Sequence, residues 1–246
     1  DLKSHQFVFF FNQLINNKNN INKIIDEFNP DGIIIATSYT KKIDINFKNI
    51  KINKILLNCY NDNFTGLTIL PDDYNGSKNA VSYLIENNFK KIPIILSSDT
   101  WMKGYKDRLS GWRDAHLEHN LKYDENFILI PKDNSENAGY SQTIKLLKSL
   151  KDVDAIFCTS DEIAMGAYQA LKEKGINIPD DISIIGYDNS NLSNLVKPKL
   201  SSVQLPYSEM TQKAINHIID RQKFNDNFII TIDSPLIKKE SVRKKK

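Results

Sequence analysis

Only two cysteines occur in 246 residues, too few for a disulfide framework. Cys59 and Cys158 each lie inside an apolar, strand-like run, which suits buried free thiols in a reducing compartment. Glycine and proline are sparse, nine and eight, and exclude collagen-like or low-complexity architectures. No run approaches the ~20 apolar residues of a membrane helix. The first residues lack the charged flank, apolar stretch and small-residue cleavage site of an export signal, so a cytoplasmic location is expected. Neither sign of charge dominates: 33 basic against 30 acidic side chains leave +3, too little for a dedicated nucleic-acid or membrane surface. Much of that excess sits in the tail, at Lys238, Lys239, Arg243 and residues 244–246. There is no Walker loop, no GxGxxG after a strand, no HExxH, no GxSxG and no CxxC. His116 and His119 share a helix face at i, i+3, but no Cys or acidic residue is spaced to complete a metal site, so they read as a solvated pair. No metal, no cofactor and no catalysis are expected.

What is present is a pattern. With 40% hydrophobic and 26% charged residues, the chain can bury a real core, as one large domain or two small ones. Short apolar runs bounded by turn formers recur at residues 7–11, 32–36, 54–58, 68–70, 92–96, 127–130, 155–159, 182–187 and 201–204. Between them, apolar residues fall at helical spacing over 19–28, 76–87, 106–119, 138–150, 162–174 and 207–221. Runs apolar throughout, such as GIIIA and AIFCT, imply parallel strands covered on both faces, hence an α/β chain with two doubly wound sheets. In such sheets ligands lie beyond the carboxyl ends of the strands. The residues following each strand are therefore the candidates: Thr37 and Ser38, residues 58–60, Asp72 and Asp73, residues 97–101, Asn134, Ser160 and Asp161, and Asp188 and Asn189.

Several longer segments, in order, carry a resemblance. They are PDGIIIA at 30–36, DDYNGSKNAVSYLIENNFKKI at 72–92, GYKDRLSGWRDA at 104–115, and DAIFCTSDEIAMGAYQALKEKGINIPDDISIIGYDNS at 154–190. LSSVQLPYSEMTQKAI at 200–215 and SPLIKKESV at 234–242 follow. The chain resembles the effector-binding core of LacI/GalR-type transcription repressors, whose fold is shared with periplasmic sugar-binding proteins. IPDDISIIGYDN with the terminal LIKKESV is the most specific part.

The resemblance implies a ligand site, and each candidate also has a local reason to be there. Asp188 ends a buried strand, where a carboxylate either accepts from ligand hydroxyls and ring N–H groups or caps a neighbouring loop. Arg108 stands where similar repressors hold the effector with a forked guanidinium, or is a surface helix arginine. Trp101 either stacks on a sugar or purine ring or packs in the core. Asn134 occupies a position where the lactose and purine repressors carry a stacking aromatic, a departure that favours hydrogen bonding to a hydroxyl-rich ligand. Ser160 and Asp161 are ligand contacts or a helix N-cap, and Asp72 and Asp73 are contacts at the first crossing between lobes or again a cap. Asp188→Ala and Arg108→Ala are each expected to abolish or greatly weaken effector binding while leaving the fold cooperative.

The resemblance further implies two lobes joined by three hinge crossovers. The N-terminal lobe is placed at 1–71 and 206–232 and the C-terminal lobe at 72–205 and 233–246, with a small polar effector, most simply a sugar, held between them. Residues 5–12 and 20–35 resemble the second strand, second helix and third strand of the first lobe. With order 2-1-3-4-5 the missing first strand would be central and would leave its neighbours unpaired, so an upstream extension of roughly 30 residues is expected. Further upstream, the family carries a helix-turn-helix that reads operator DNA as a homodimer. The expected function is therefore an effector-sensing and dimerisation core. The alternatives are an exported sugar-binding protein of a transporter and, further off, a sugar-acting enzyme.

Overall fold

A parallel strand of isoleucines presents alternate side chains to opposite faces and so builds two cores at once. The computed structural model describes residues 7–10, 20–48, 50–220 and 226–243. In chain order the first elements are β1 (Phe7–Phe10), α1 (Asn20–Phe28), β2 (Gly32–Lys42), β3 (Asn53–Tyr60), β4 (Gly66–Pro71), α2 (Asp73–Glu86), β5 (Ile94–Ile95) and α3 (Lys103–Glu118). Then come β6 (Ile128–Leu129), α4 (Glu136–Ser149), β7 (Ala155–Cys158), α5 (Asp161–Glu173), β8 (Ser183–Asp188) and α6 (Leu192–Leu195). The last are β9 (Ser201–Gln204), α7 (Tyr207–Ile219), β10 (Asn227–Ile232) and β11 (Leu236–Ile237). The chain divides into two units, Asp1–Asp72 with Pro206–Asp233 and Asp73–Leu205 with Ser234–Lys246, so the backbone crosses between them three times.

The first unit holds a parallel sheet of order β1-β2-β3-β4-β10. Ile33, Ile35 and Leu56 pack with Ile21 of α1 and Phe64, while Ile34, Ile55 and Leu57 pack with Met210, Ala214 and Ile218 of α7. The gap expected beside β1 is not there: Phe7–Phe10 pairs directly with residues 32–35. A strand edge offers unsatisfied N–H and C=O groups, and the nearest extended segment satisfies them. β2 also runs past its expected end, with a register shift between Ala36 and Lys41. Buried side chains fill that irregularity, Thr40 donating to Asn58 Oδ1 and Asn58 Nδ2 donating to the Thr37 carbonyl.

The second unit has order β11-β9-β8-β7-β5-β6, parallel except for the β11–β9 pair. From β5 the chain winds one way to β6 and then back to β7, β8 and β9, so the switch point lies between β5 and β7. Ile94, Phe157, Ile185 and Tyr187 face α2 and α3, whereas Ile95, Ile156, Cys158 and Ile184 face α4 and α5. Both cysteines are free and buried, and burial pushes the Cys59 thiol up to about 12.

His116 corrects the solvated-pair reading. It is fully buried, with its ring 4.4 Å from that of Trp112 and 5.5 Å from that of Tyr123, and burial lowers its pKa. His119 alone is exposed. Sequence periodicity places both on one face but does not reveal that an aromatic cluster covers half of it.

Two glycines let α4 and α5 touch. A Cβ on Gly166 would stand 1.9 Å from the Glu136 carbonyl oxygen, and one on Gly139 would stand 2.2 Å from that of Ile163. Gly166→Ala is expected to force the helices apart and cost about 1–3 kcal/mol, read as a lower urea midpoint. A wild-type midpoint would mean the helices separate freely.

Candidate functional site

The carboxyl ends of β5, β7 and β8 bring together most of the residues marked by the sequence. Arg108 lies on α3, one turn and a half from its start, and is not a surface arginine: it is 4% exposed. Its Nε donates to Asp73 Oδ1 at 2.8 Å and its Nη1 to the Thr159 carbonyl at 2.6 Å. The guanidinium lies over the Tyr187 ring, 3.6 Å from its centroid, and 5.1 Å from that of Tyr105. Burial works against its charge, but Asp73, Tyr187 and Asp188 outweigh burial and hold its pKa above the ordinary arginine value. Nη2 takes no part in these bonds.

Asp188 ends β8 with its Oδ1 3.8 Å from Arg108 Nη1, and its side chain keeps 27% exposure. Burial is the main reason its pKa is pushed up to about 7. Arg108 pulls it down, while Asp161 and Asp73 push it further up. A carboxyl group so placed, partly wet and beside a fixed cation, can accept from hydroxyls when ionised and donate when protonated.

The other candidates separate by what already occupies them. Asp73 is 1% exposed and bound to Arg108, so it holds the guanidinium in place. Ser160 caps α5, its hydroxyl accepting from the Ile163 N–H at 3.2 Å. Asp161 accepts from Ser190 N–H and Oγ on Oδ2 and from Ser202 Oγ on Oδ1. Asn134 ties the loops after β5 and β6 together: its Oδ1 accepts from the Ser98 N–H at 2.8 Å and from Ser97 Oγ, and its Nδ2 donates to Asp99. Trp101 on the first of those loops is 60% exposed, which removes core packing as its reason. Asp72 belongs to the first unit, where its N–H donates to the Ile232 carbonyl.

Tyr187, the Thr159 carbonyl, Ser190, Ser202 and Lys239 were not singled out by the sequence as part of this rim. Tyr187 had a signal, standing beside Asp188 at the end of a buried strand. The serines had none, since neither a loop serine such as Ser190 nor a strand serine such as Ser202 carries a mark of the carboxylate that it meets.

Among the described residues no group of three or more His, Cys, Asp or Glu could hold a metal ion, and no helix is long and apolar enough to cross a membrane. The family model of the periplasmic binding protein-like domain matches residues 81–242. The HTH-type transcriptional repressor PurR of Actinobacillus pleuropneumoniae serotype 3 is 34% identical over 198 residues, covering 79% of this chain and 58% of that protein. The protein of the same name from Histophilus somni strain 129Pt is 31% identical over 242 residues, covering 94% of this chain and 72% of that one. A LacI-family regulator from Rhizobium etli, known from its crystal structure, superposes with a TM-score of 0.80 at 24% identity over 92% of this chain and 83% of that one. The chain thus spans 58% of the length of the first relative.

Proposed function

Since the chain belongs to the periplasmic binding protein-like family, as the effector-binding core of a LacI-family transcriptional repressor, we propose that the carboxyl rim of its second unit binds a small, hydroxyl-rich effector. The observation that carries this reading is the Asp188–Arg108 pair: a partly exposed carboxylate beside a buried guanidinium, at the carboxyl end of β8, one strand over from the switch point between β5 and β7. The ligand's hydroxyls meet Asp188 beside the Arg108 guanidinium. Trp101, exposed on the loop after β5, offers an aromatic face to an apolar sugar ring surface.

Occupancy acts by linkage. A homodimer of the whole cytoplasmic protein, carrying a helix-turn-helix outside these residues, changes operator affinity when effector favours one conformation over another. A tenfold change needs only ~1.4 kcal/mol of differential binding, within the reach of a few hydrogen bonds. Under this reading the chain binds and does not catalyse.

A thermal-shift screen against monosaccharides, disaccharides, sugar phosphates and purines tests it, because a ligand that binds only the native state raises the melting temperature. One class, with sugars the first expectation, is expected to stabilise the wild type and to lose that effect in Asp188→Asn. A screen in which nothing shifts the wild type, or in which Asp188→Asn responds equally, overturns the assignment. Gel filtration at micromolar concentration is expected to show twice the 28.3 kDa of one chain, and a monomer counts against the repressor reading.

A further inference from the structure

Asp188 and Asn189 are consecutive non-glycine residues with φ of 101° and 47°. Backbone in that region crowds a side chain, costs about 1–3 kcal/mol per residue, and persists only where its surroundings over-determine it. Here the surroundings are explicit. Ser190, next in sequence, gives its N–H and its hydroxyl to Asp161 Oδ2 at 2.7 and 2.9 Å. Ser202 of β9 accepts from the Asn189 N–H at 3.0 Å and donates onward to Asp161 Oδ1 at 2.7 Å. Lys239 Nζ, from the segment after β11, donates to Asn189 Oδ1 at 2.8 Å and to Ser193 Oγ at 2.6 Å. Gly186 leaves the room for this arrangement, since a Cβ there would stand 2.5 Å from Asp161 Oδ1.

Asp161 is itself 1% exposed, and both of its oxygens are taken by protein donors. We propose that Asp161 is a positioning residue that, through Ser190 and Ser202, holds the left-handed Asp188–Asn189 turn and so aims the Asp188 carboxylate without touching ligand. Lys239 braces the same turn from the C-terminal side. Aiming at a ligand rests on the effector-site reading above; the geometry does not, and it is testable on ligand-free protein.

The test titrates the Asp188 carboxyl by carbon-13 NMR in the full chain labelled at aspartate, with the resonance assigned by its loss in Asp188→Asn. The charged and titratable groups around it are Arg108 from α3, Asp73 from α2, Asp161 and Glu162 from α5, and Tyr187, its neighbour on β8. Ser202→Ala removes no charge, so a change there reports geometry. Its midpoint is expected to fall below wild type by about one pH unit as the released turn lets the carboxyl reach water. Asp161→Asn is expected to fall further, having also lost a neighbouring negative charge. Coincident midpoints in wild type and in folded Ser202→Ala overturn the proposal, and that variant decides alone if Asp161→Asn does not fold. Because no ligand is used, a failed effector screen leaves this result standing, and the reverse holds too.

Discussion

Arg108→Ala is expected to cost about 3–5 kcal/mol of stability, the penalty for removing one partner of a buried ion pair. The substitution leaves Asp73, 1% exposed, facing the space its guanidinium filled, strips a donor from the Thr159 carbonyl, and uncovers the Tyr187 ring. Urea unfolding reads the effect as a large drop in midpoint; an unchanged midpoint would show that water repairs the site. The double variant Arg108→Met with Asp73→Asn is expected to recover part of the loss, because neither side then buries a charge. The expectation that Arg108→Ala weakens effector binding in a cooperatively folded protein thereby gains a large stability cost. A guanidinium bound to Asp73 and to the Thr159 carbonyl cannot be a clean probe of ligand contact.

Asp188→Asn behaves in the opposite way. Its carboxyl is pushed up to about 7 chiefly by burial, against the pull of Arg108. Between about pH 4, where the unfolded carboxyl ionises, and about 7, the folded state keeps a proton that the unfolded state has lost. The stability contributed by this group therefore falls as pH rises through that window, and above it the loss is complete. Asparagine has no such loss. The variant is expected to gain on wild type between pH 5 and pH 8, by on the order of 1–3 kcal/mol less whatever the exposed edge of the carboxylate screens. Urea unfolding at the two values checks this, and a constant difference overturns it. In calorimetry with a ligand from the screen, the same variant is expected to bind about 10- to 100-fold more weakly, the scale of one charge-assisted hydrogen bond.

The α/β architecture was legible because its cause is local. Isoleucine runs bounded by turn formers read as buried strands, and helical spacing over 162–174 already marks the face that α5 packs against β7 and β8. What escaped were elements whose identity depends on a distant partner. β10 is an edge strand that exists by pairing with β4, and Thr68 meets Asn227 across 159 residues. β5 and β6 shrink to two residues each because their neighbours, not their composition, set where the ladder ends.

The candidate site divides in the same way. Residue type and strand-end position marked Asp188, Trp101, Asn134, Ser160 and Asp161, because carboxyl ends of parallel strands open to one side of a sheet, whereas Arg108, inside α3, was marked only by the resemblance to the repressor family. Whether each side chain is free or already engaged is not a local property. Asp161 and Asn134 spend their oxygens on loops brought beside them by the fold, and Arg108 spends two of its donors on Asp73 and Thr159. The sequence by itself determined which chemistry reaches the rim, since periodicity and chain order decide which residues follow a buried strand. Only the tertiary structure decided which of those groups keep a hydrogen bond to give, because that depends on partners far away along the chain and close in space.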